Sequence, residues 1–304
     1  YHGNGHTSGS PPADGTPYAP GEEVTVLDNT GSLERSGYTF AGWNTRADGS
    51  GGAYDAGDTF TIGEVDVELF AEWDLVAAKI VSPAGASGGR FGVSVALSGD
   101  TAVVGDGESG SAYAFEHSAT DGWDAGQSVP SSGSGGAGSG YGGAVDAGGD
   151  YLIVGARLEG DDGAAYIHVR TPGNGWDAGK RIAPANGSGT GDEQFGSAVA
   201  VSDGYAAVGA PKHDGGGSSD TGAVYVFERT GTNDWSTPTK LLPDAVAAGD
   251  RFGISVAIDP SGEYLIAGAS PDGTAPAGAG YAYIFRRTAG NSWDAGVRID
   301  SPAG

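Results

Sequence analysis

The chain has no cysteine and no methionine, and lysine occurs only at Lys79, Lys180, Lys212 and Lys240. Without a thiol, neither a disulfide framework nor a thiolate metal site can form. Stability outside a cell would then rest on packing and hydrogen bonding. No apolar run approaches the roughly 18 residues that a membrane-spanning helix needs. The sequence opens on Tyr1 with no initiator methionine or signal peptide, as expected of a mature or trimmed segment. Basic patches are missing too: the formal net charge is −24 over 304 residues, which argues against a nucleic-acid partner. Such an acidic surface suits solubility in saline or calcium-rich surroundings.

Glycine is abundant, at 59 residues, but no G-X-Y period runs through it, so collagen is excluded. The apolar residues fall in short runs between Gly, Asp and Ser clusters. That pattern predicts an all-β chain of short strands joined by turns.

Most of the chain repeats itself. An aromatic-Gly pair recurs at Phe91-Gly92, Tyr141-Gly142, Phe195-Gly196 and Phe252-Gly253. A strand tyrosine follows at Tyr113, Tyr166, Tyr225 and Tyr283, then a tryptophan at Trp123, Trp176, Trp235 and Trp293. Both later series step by 53, 59 and 58 residues. A period of this size indicates a propeller, solenoid or array. Four strands are expected per unit, in units 91–130, 141–184, 195–243 and 252–301. The first strands are expected at 91–98, 141–148, 195–202 and 252–259. Four short antiparallel strands make one propeller blade.

The words FGSAVAVSDGYAAVGAP and GAVYVFERT, with the tryptophan after them, resemble the FG-GAP repeat in its bacterial short-loop form. The resemblance implies a β-propeller over 75–304 with four recognisable blades. The glycines would permit positive φ and close approach of neighbouring blades, and the aromatics would fill the wedge between blades. Residues 1–74 lack this repeat. Their GYTFAGW block and terminal FAEW strand resemble the Listeria–Bacteroides repeat of internalin-type surface proteins, which implies a small β-grasp-like module. Its strands are expected at 23–27, 38–43, 59–62 and 67–73.

The FG-GAP resemblance raises calcium, because integrin-type repeats often carry an Asp-x-Asp-x-Asp-Gly loop after the first strand. Calcium takes six to eight oxygens, and none of the four equivalent connections here supplies enough carboxylates. The loops after the second strands hold more acid, at Asp161, Asp162, Asp214 and Asp220. These are the candidate cation ligands, with solvated turns as the simpler reading. His2 and His6 lie in a Gly/Ser-rich stretch without a third ligand. His117 and His168 are expected on blade surfaces. Trp123, Trp176, Trp235 and Trp293 are candidate ligand-facing aromatics, with packing as the alternative. No catalytic constellation is selected, so a non-enzyme is expected.

One strand is in surplus. Lys79-Ile80-Val81 before the first unit and Val297-Arg298-Ile299 at the end are copies of the same fourth strand, making five for four units. Three readings stay open: a fragment of a longer protein, a four-unit ring closed by the N-terminal copy, or pairing of the spare strand with another subunit's open edge. The combined expectation is a prokaryotic surface protein binding other surface proteins or glycans. The alternative is the subunit of an extracellular filament or surface layer.

Overall fold

In the computed structural model all residues are described except 77–78, 84, 86–88, 119–121, 134–135, 185–190, 216, 244, 272–279 and 301–304. The chain forms two compact units, Tyr1–Ile80 with His117–Asp124, and Val81–Glu116 with Ala125–Gly304. Every regular element among the described residues is a β-strand.

The first unit holds β1 (Glu23–Thr25), β2 (Tyr38–Asn44), β3 (Ala53–Tyr54), β4 (Thr59–Thr61) and β5 (Phe70–Leu75). They form a β1-β4 ribbon and a three-stranded sheet ordered β3-β2-β5. The fully buried Trp43 anchors a core with Val26, Leu33, Leu69 and Ala71. Its indole N–H donates to the Leu27 carbonyl at 2.9 Å, so the polar edge of the ring is satisfied as burial requires. The expected strand at 67–73 starts only at Phe70. Glu64 to Leu69 instead lead into it without ladder pairing, and Val65 and Val67 are exposed there.

In the second unit the first sheet contains β6 (Phe91–Ser98), β7 (Thr101–Asp106), β8 (Ser111–Ser118, as far as Glu116) and β10 (Gln127–Ser128); the end of β8 and the short β9 (Gly122–Trp123) that pairs with it fall in the 117–124 segment of the first unit. The second contains β11 (Tyr141–Gly148), β12 (Tyr151–Ala156), β13 (Ala164–Thr171), β14 (Gly175–Trp176) and β15 (Lys180–Ile182). In the third lie β16 (Ala198–Val201), β17 (Tyr205–Ala210), β18 (Ala223–Glu228) and β19 (Thr239–Leu241). The fourth has β20 (Ser255–Ile258), β21 (Tyr264–Ala269), β22 (Tyr281–Ala289), β23 (Ser292–Trp293) and β24 (Val297–Asp300). Each sheet is an antiparallel meander in which the third strand carries the fourth.

The core is a stack of interfaces between consecutive sheets. Val103 and Ala114 of the first sheet meet Tyr141, Val145 and Leu152 of the second. On its other side the second sheet presents Ile153 and Ile167 to Phe195, Val199 and Phe227 of the third. The third in turn packs Ala207 and Val226 against Phe252, Leu265 and Phe285 of the fourth. Period-2 alternation makes this two-sided packing possible, because successive residues of a strand feed opposite faces. Leu97, Asp146, Val201 and Ile258, near the first-to-second-strand turns, line one cavity of about 280 Å³. The innermost ends of all four sheets therefore converge.

Two expected first strands are shorter than the repeat suggests. In the third and fourth sheets the ladder starts at Ala198 and Ser255, not at Phe195 and Phe252. The aromatic residues instead make parallel bridges to the preceding sheet, Phe195 with Gly163 and Phe252 with Gly222. The backbone there is committed to the neighbouring sheet.

Candidate functional site

The seam between sheets is the most repeated arrangement in the chain, and glycine makes it possible. A Cβ at Gly105, Gly155 or Gly209 would collide with the carbonyl of Gly142, Gly196 or Gly253 in the next sheet. The second glycine of each pair also has positive φ, +84°, +94° and +88°, a region that costs little only for glycine. The Phe195 N–H donates to the Asp162 carbonyl at 2.8 Å, and the Phe252 N–H to the Thr221 carbonyl at 2.9 Å. A tyrosine on the second strand completes the seam. Tyr151 donates to the Thr232 carbonyl of the third sheet at 2.8 Å, and Tyr205 to the Gly290 carbonyl of the fourth at 3.1 Å.

Three of the candidate tryptophans, Trp176, Trp235 and Trp293, pack at these seams. Trp235 meets the Tyr151 ring edge-on with centroids 5.8 Å apart, and Trp293 meets Tyr205 at 6.2 Å. Trp176 is buried under the Arg170 guanidinium, 4.8 Å from its ring centroid. Trp123 stands 5.2 Å from the His117 ring. All four pair with the outer end of their own third strand, through β9, β14, β23 or the Arg229 to Trp235 bridge.

Buried tyrosine–acid pairs sit beside the seams. The Tyr166 hydroxyl donates to Glu159 at 2.6 Å, and Glu159 accepts from Arg181 Nε at 2.7 Å. Burial and the adjacent carboxylate push the Tyr166 hydroxyl up to about 12. The Tyr225 hydroxyl donates to Glu193 at 3.2 Å; Glu193 also lies 3.0 Å from His213 Nδ1. Tyr281 donates to Asp250 at 2.5 Å. Burial is the main cause of the raised tyrosine values here too. Glu193 and Asp250 hold the same place, two residues before Phe195 and Phe252. Sequence reading missed this role, although that shared offset from the aromatic was the available signal.

The candidate cation ligands are placed as follows. Asp161 and Asp162 lie on the β12–β13 loop, where burial, then Glu193 and Asp161, raise the Asp162 carboxyl. Asp214 and Asp220 lie on the β17–β18 loop, and Asp214 Oδ1 accepts the Asp220 N–H at 2.9 Å. No group of three or more His, Asp or Glu in metal-holding geometry occurs among the described residues. His2 sits beside Glu68, 3.3 Å away. His117 is exposed as expected, whereas His168 is fully buried. That is a correction: His168 occupies the place held by Phe115, Phe227 and Phe285 in the other sheets, so the position faces inward.

The two copies of the fourth strand part company. Val297, Arg298 and Ile299 are laddered in β24 against β22. Lys79, Ile80 and Val81 belong to no strand, and Val81 is exposed. A cavity of about 750 Å³ lies elsewhere, in the first unit between Tyr1, Tyr18 and Phe60.

Comparison with known proteins agrees with the two repeat types. The FG-GAP repeat matches residues 75–115, 176–227 and 235–285. The Listeria–Bacteroides repeat domain matches residues 1–72. The chain thus carries both kinds of module. Two proteins of Evansella cellulosilytica, one named as a membrane protein and one as a Gly-rich membrane protein, are 42% identical over 80 residues and 44% identical over 75 residues. The matches cover 26% and 25% of this chain but only 12% and 8% of those proteins. Among solved structures, one named as TolB from Agrobacterium tumefaciens aligns over 66% of this chain and 59% of its own, with TM-score 0.43 and 12% identity. A functionally unknown protein from Desulfotomaculum acetoxidans aligns over 76% and 71%, with TM-score 0.34 and 10% identity. No helix among the described residues is long and apolar enough to cross a membrane.

Proposed function

We propose that the four sheets are four blades of an FG-GAP propeller-type domain, carried behind a β-grasp-like spacer on the prokaryotic cell surface. There the chain acts as a non-enzymatic binder of other surface proteins or glycans. The observation that carries this reading is the four-fold unit itself. Its aromatics and glycines are spent on inter-sheet seams, while the loops after the second strands lie at the end of each sheet opposite the central cavity. Loops displayed on a rigid scaffold are where binding concentrates. The two relatives named as membrane proteins support a place at the cell envelope. The reading does not require calcium on Asp161, Asp162, Asp214 and Asp220.

Glycan-array and surface-protein pull-down experiments with the purified chain test it. Saturable binding that is lost on replacing the 157–163 and 212–222 loops is expected. Turnover of a polymer in place of binding would overturn it.

A second reading, the subunit of a filament or surface layer built by strand exchange, is favoured by one observation. Lys79 to Ser82 carry a fourth-strand sequence and lie in no strand. Deleting 79–83 and imaging the product by electron microscopy tests this; assembly that survives the deletion would sink it.

A further inference from the structure

A cavity of about 390 Å³ opens between the first and second sheets, at the rim formed by the loops after the second strands. Its two walls are consecutive sheets of the stack, so it belongs to neither outer face. The size falls within the roughly 300 to 1,000 Å³ usual for ligand pockets. Arg90 and Glu108 of the first sheet and Arg157 of the second line it. Arg90 Nε donates to Glu108 at 2.8 Å. Arg157 acts beyond the cavity as well: with Lys212 as the main cause and Arg157 as a lesser one, the Asp192 carboxyl is held below its ordinary value. Two guanidiniums against one carboxylate leave the lining net positive, in a chain whose formal charge is −24.

The room comes from side chains that the second sheet lacks. Counted from the aromatic of each aromatic-Gly pair, Gly138, Gly140 and Gly143 hold the places of Asp192, Gln194 and Ser197 in the third sheet. The backbone is alike at both: φ is +96° and +69° at Gly138 and Gly140, against +74° and +54° at Asp192 and Gln194. In the third sheet Lys212 Nζ donates to Asp192 at 2.7 Å. In the second that ion pair becomes Gly138 and Leu158, and a Cβ at Gly138 would meet nothing within 4 Å. Val93 and Leu158, 49% and 45% exposed, add an apolar edge. The space of an ion pair is thus vacated at a rim that carries two arginines. A unit that keeps the backbone of its repeat but breaks the side-chain pattern is where function is expected.

We propose that this cavity binds the carboxylate of an acidic sugar, a uronic acid carried on a glycan; the inference rests on the surface-binder reading above and names the ligand class for one of its loops. A guanidinium presents a planar fork that matches a carboxylate. A monoanion balances the net charge of the lining, which a phosphate group at about −1.5 to −2 would exceed. The glycines uncover peptide N–H and C=O groups, and a sugar hydroxyl can meet either because it both donates and accepts. The apolar edge of Val93 and Leu158 suits the C–H face of a sugar ring. A compact cavity takes a ring in preference to an extended acidic peptide, which needs a groove or a sheet edge.

The test uses the full chain and two variants of it, Arg157→Gln and Gly138→Asp. The second returns a carboxylate to the place that Asp192 fills in the third sheet, in the left-handed region that Asp192 already adopts. Calorimetric titration is run with short oligosaccharides of galacturonate and of glucuronate, their methyl esters as neutral twins, and tetraglutamate as an acidic peptide. The unaltered chain is expected to bind a uronate oligosaccharide, and neither its ester nor tetraglutamate. Arg157→Gln should weaken that binding about tenfold or more, as loss of a charged hydrogen bond does, and Gly138→Asp should abolish it. An unchanged circular dichroism spectrum shows that a variant is folded, and either variant alone suffices for the comparison. Absence of uronate binding overturns the proposal. So does equal binding of the esters, a preference for tetraglutamate, or binding indifferent to the substitutions. Glycan-array or pull-down binding that survives both variants overturns this pocket alone and leaves the surface-binder reading standing.

Discussion

The Tyr141 hydroxyl lies 3.1 Å from His168 Nε2 in the interior of the second sheet. The corresponding pair is Phe91–Phe115, Phe195–Phe227 and Phe252–Phe285 in the other three sheets, with ring centroids 6.1 to 6.2 Å apart. The Tyr141 and His168 rings are 6.5 Å apart. One edge-to-face aromatic contact has thus been replaced on both sides by polar rings that satisfy each other. His168 Nδ1 completes the arrangement 3.0 Å from the Asp177 carbonyl.

This pair predicts a pH response. Burial holds the His168 imidazole below its ordinary value of 6.5. As pH falls through 6.5 the unfolded chain takes up a proton that the folded chain refuses. Folding stability therefore drops on acidification, down to the depressed folded value. The double variant Tyr141→Phe/His168→Phe should lose less stability than the parent between about pH 7 and pH 5. Urea denaturation at the two pH values measures this, and equal losses would refute it.

At neutral pH the same positions predict non-additivity. His168→Phe alone leaves the buried Tyr141 hydroxyl only the longer contacts to the Val129 and Pro130 carbonyls, 3.5 and 3.4 Å away, and should cost about 1 to 3 kcal/mol. Adding Tyr141→Phe should restore much of that loss, since it rebuilds the pair found in the other sheets. A double-mutant cycle with a coupling near zero would show that the two rings are independent.

Glu159 predicts a larger effect. It is 8% exposed and receives both Tyr166 and Arg181. Glu159→Ala should cost about 1.5 to 3 kcal/mol, the range for hydrogen bonds to a charged group. The Tyr166 hydroxyl should then titrate nearer its ordinary value of 10, as read by ultraviolet difference absorbance. An unchanged alkaline titration would mean that the carboxylate does not shape the hydroxyl.

The glycine seam can be separated from glycine strain. Gly92 and Gly196 have nearly the same φ, +91° and +94°, but a Cβ on Gly196 would strike the Ala164 carbonyl while Gly92 faces open space. Gly92→Ala should cost only the left-handed penalty of about 1 to 2 kcal/mol. Gly196→Ala should cost about 1 to 3 kcal/mol more, from forced displacement in a close-packed seam. Thermal unfolding of the two variants distinguishes them, and equal losses would remove the seam as a stabilising feature.

Calcium offers a simpler check. Asp214 already accepts the Asp220 N–H, as a turn residue does. Chelator should therefore leave the melting temperature unchanged. A ligand at about 100 times its Kd would instead add about 2.7 kcal/mol, and a shift of that order would establish a cation site.

Much was legible in the chain before folding. Absent cysteine excluded disulfides and thiolate metal sites. The period of Tyr113, Tyr166, Tyr225 and Tyr283 located the four sheets, because a strand three residues out of register would put its tyrosine on the wrong face. Local sequence could also place the turns, since glycine and aspartate act there through their own φ preferences.

Tertiary structure decided what depends on a neighbour. Phe195 and Phe252 read as strand starts but bridge the preceding sheet, because the unpaired backbone of the 161–163 and 220–222 segments lies beside them. His168 read as a surface residue, yet its place in the repeat points it into the core against Tyr141. Two similar fourth-strand sequences gave a laddered β24 and an unladdered Lys79–Val81, since a strand forms only where a third strand receives it. The exposure of Val95 and Ile266 is likewise invisible along the chain. Their interior counterparts are buried by an adjacent sheet, a contact that the linear sequence does not show.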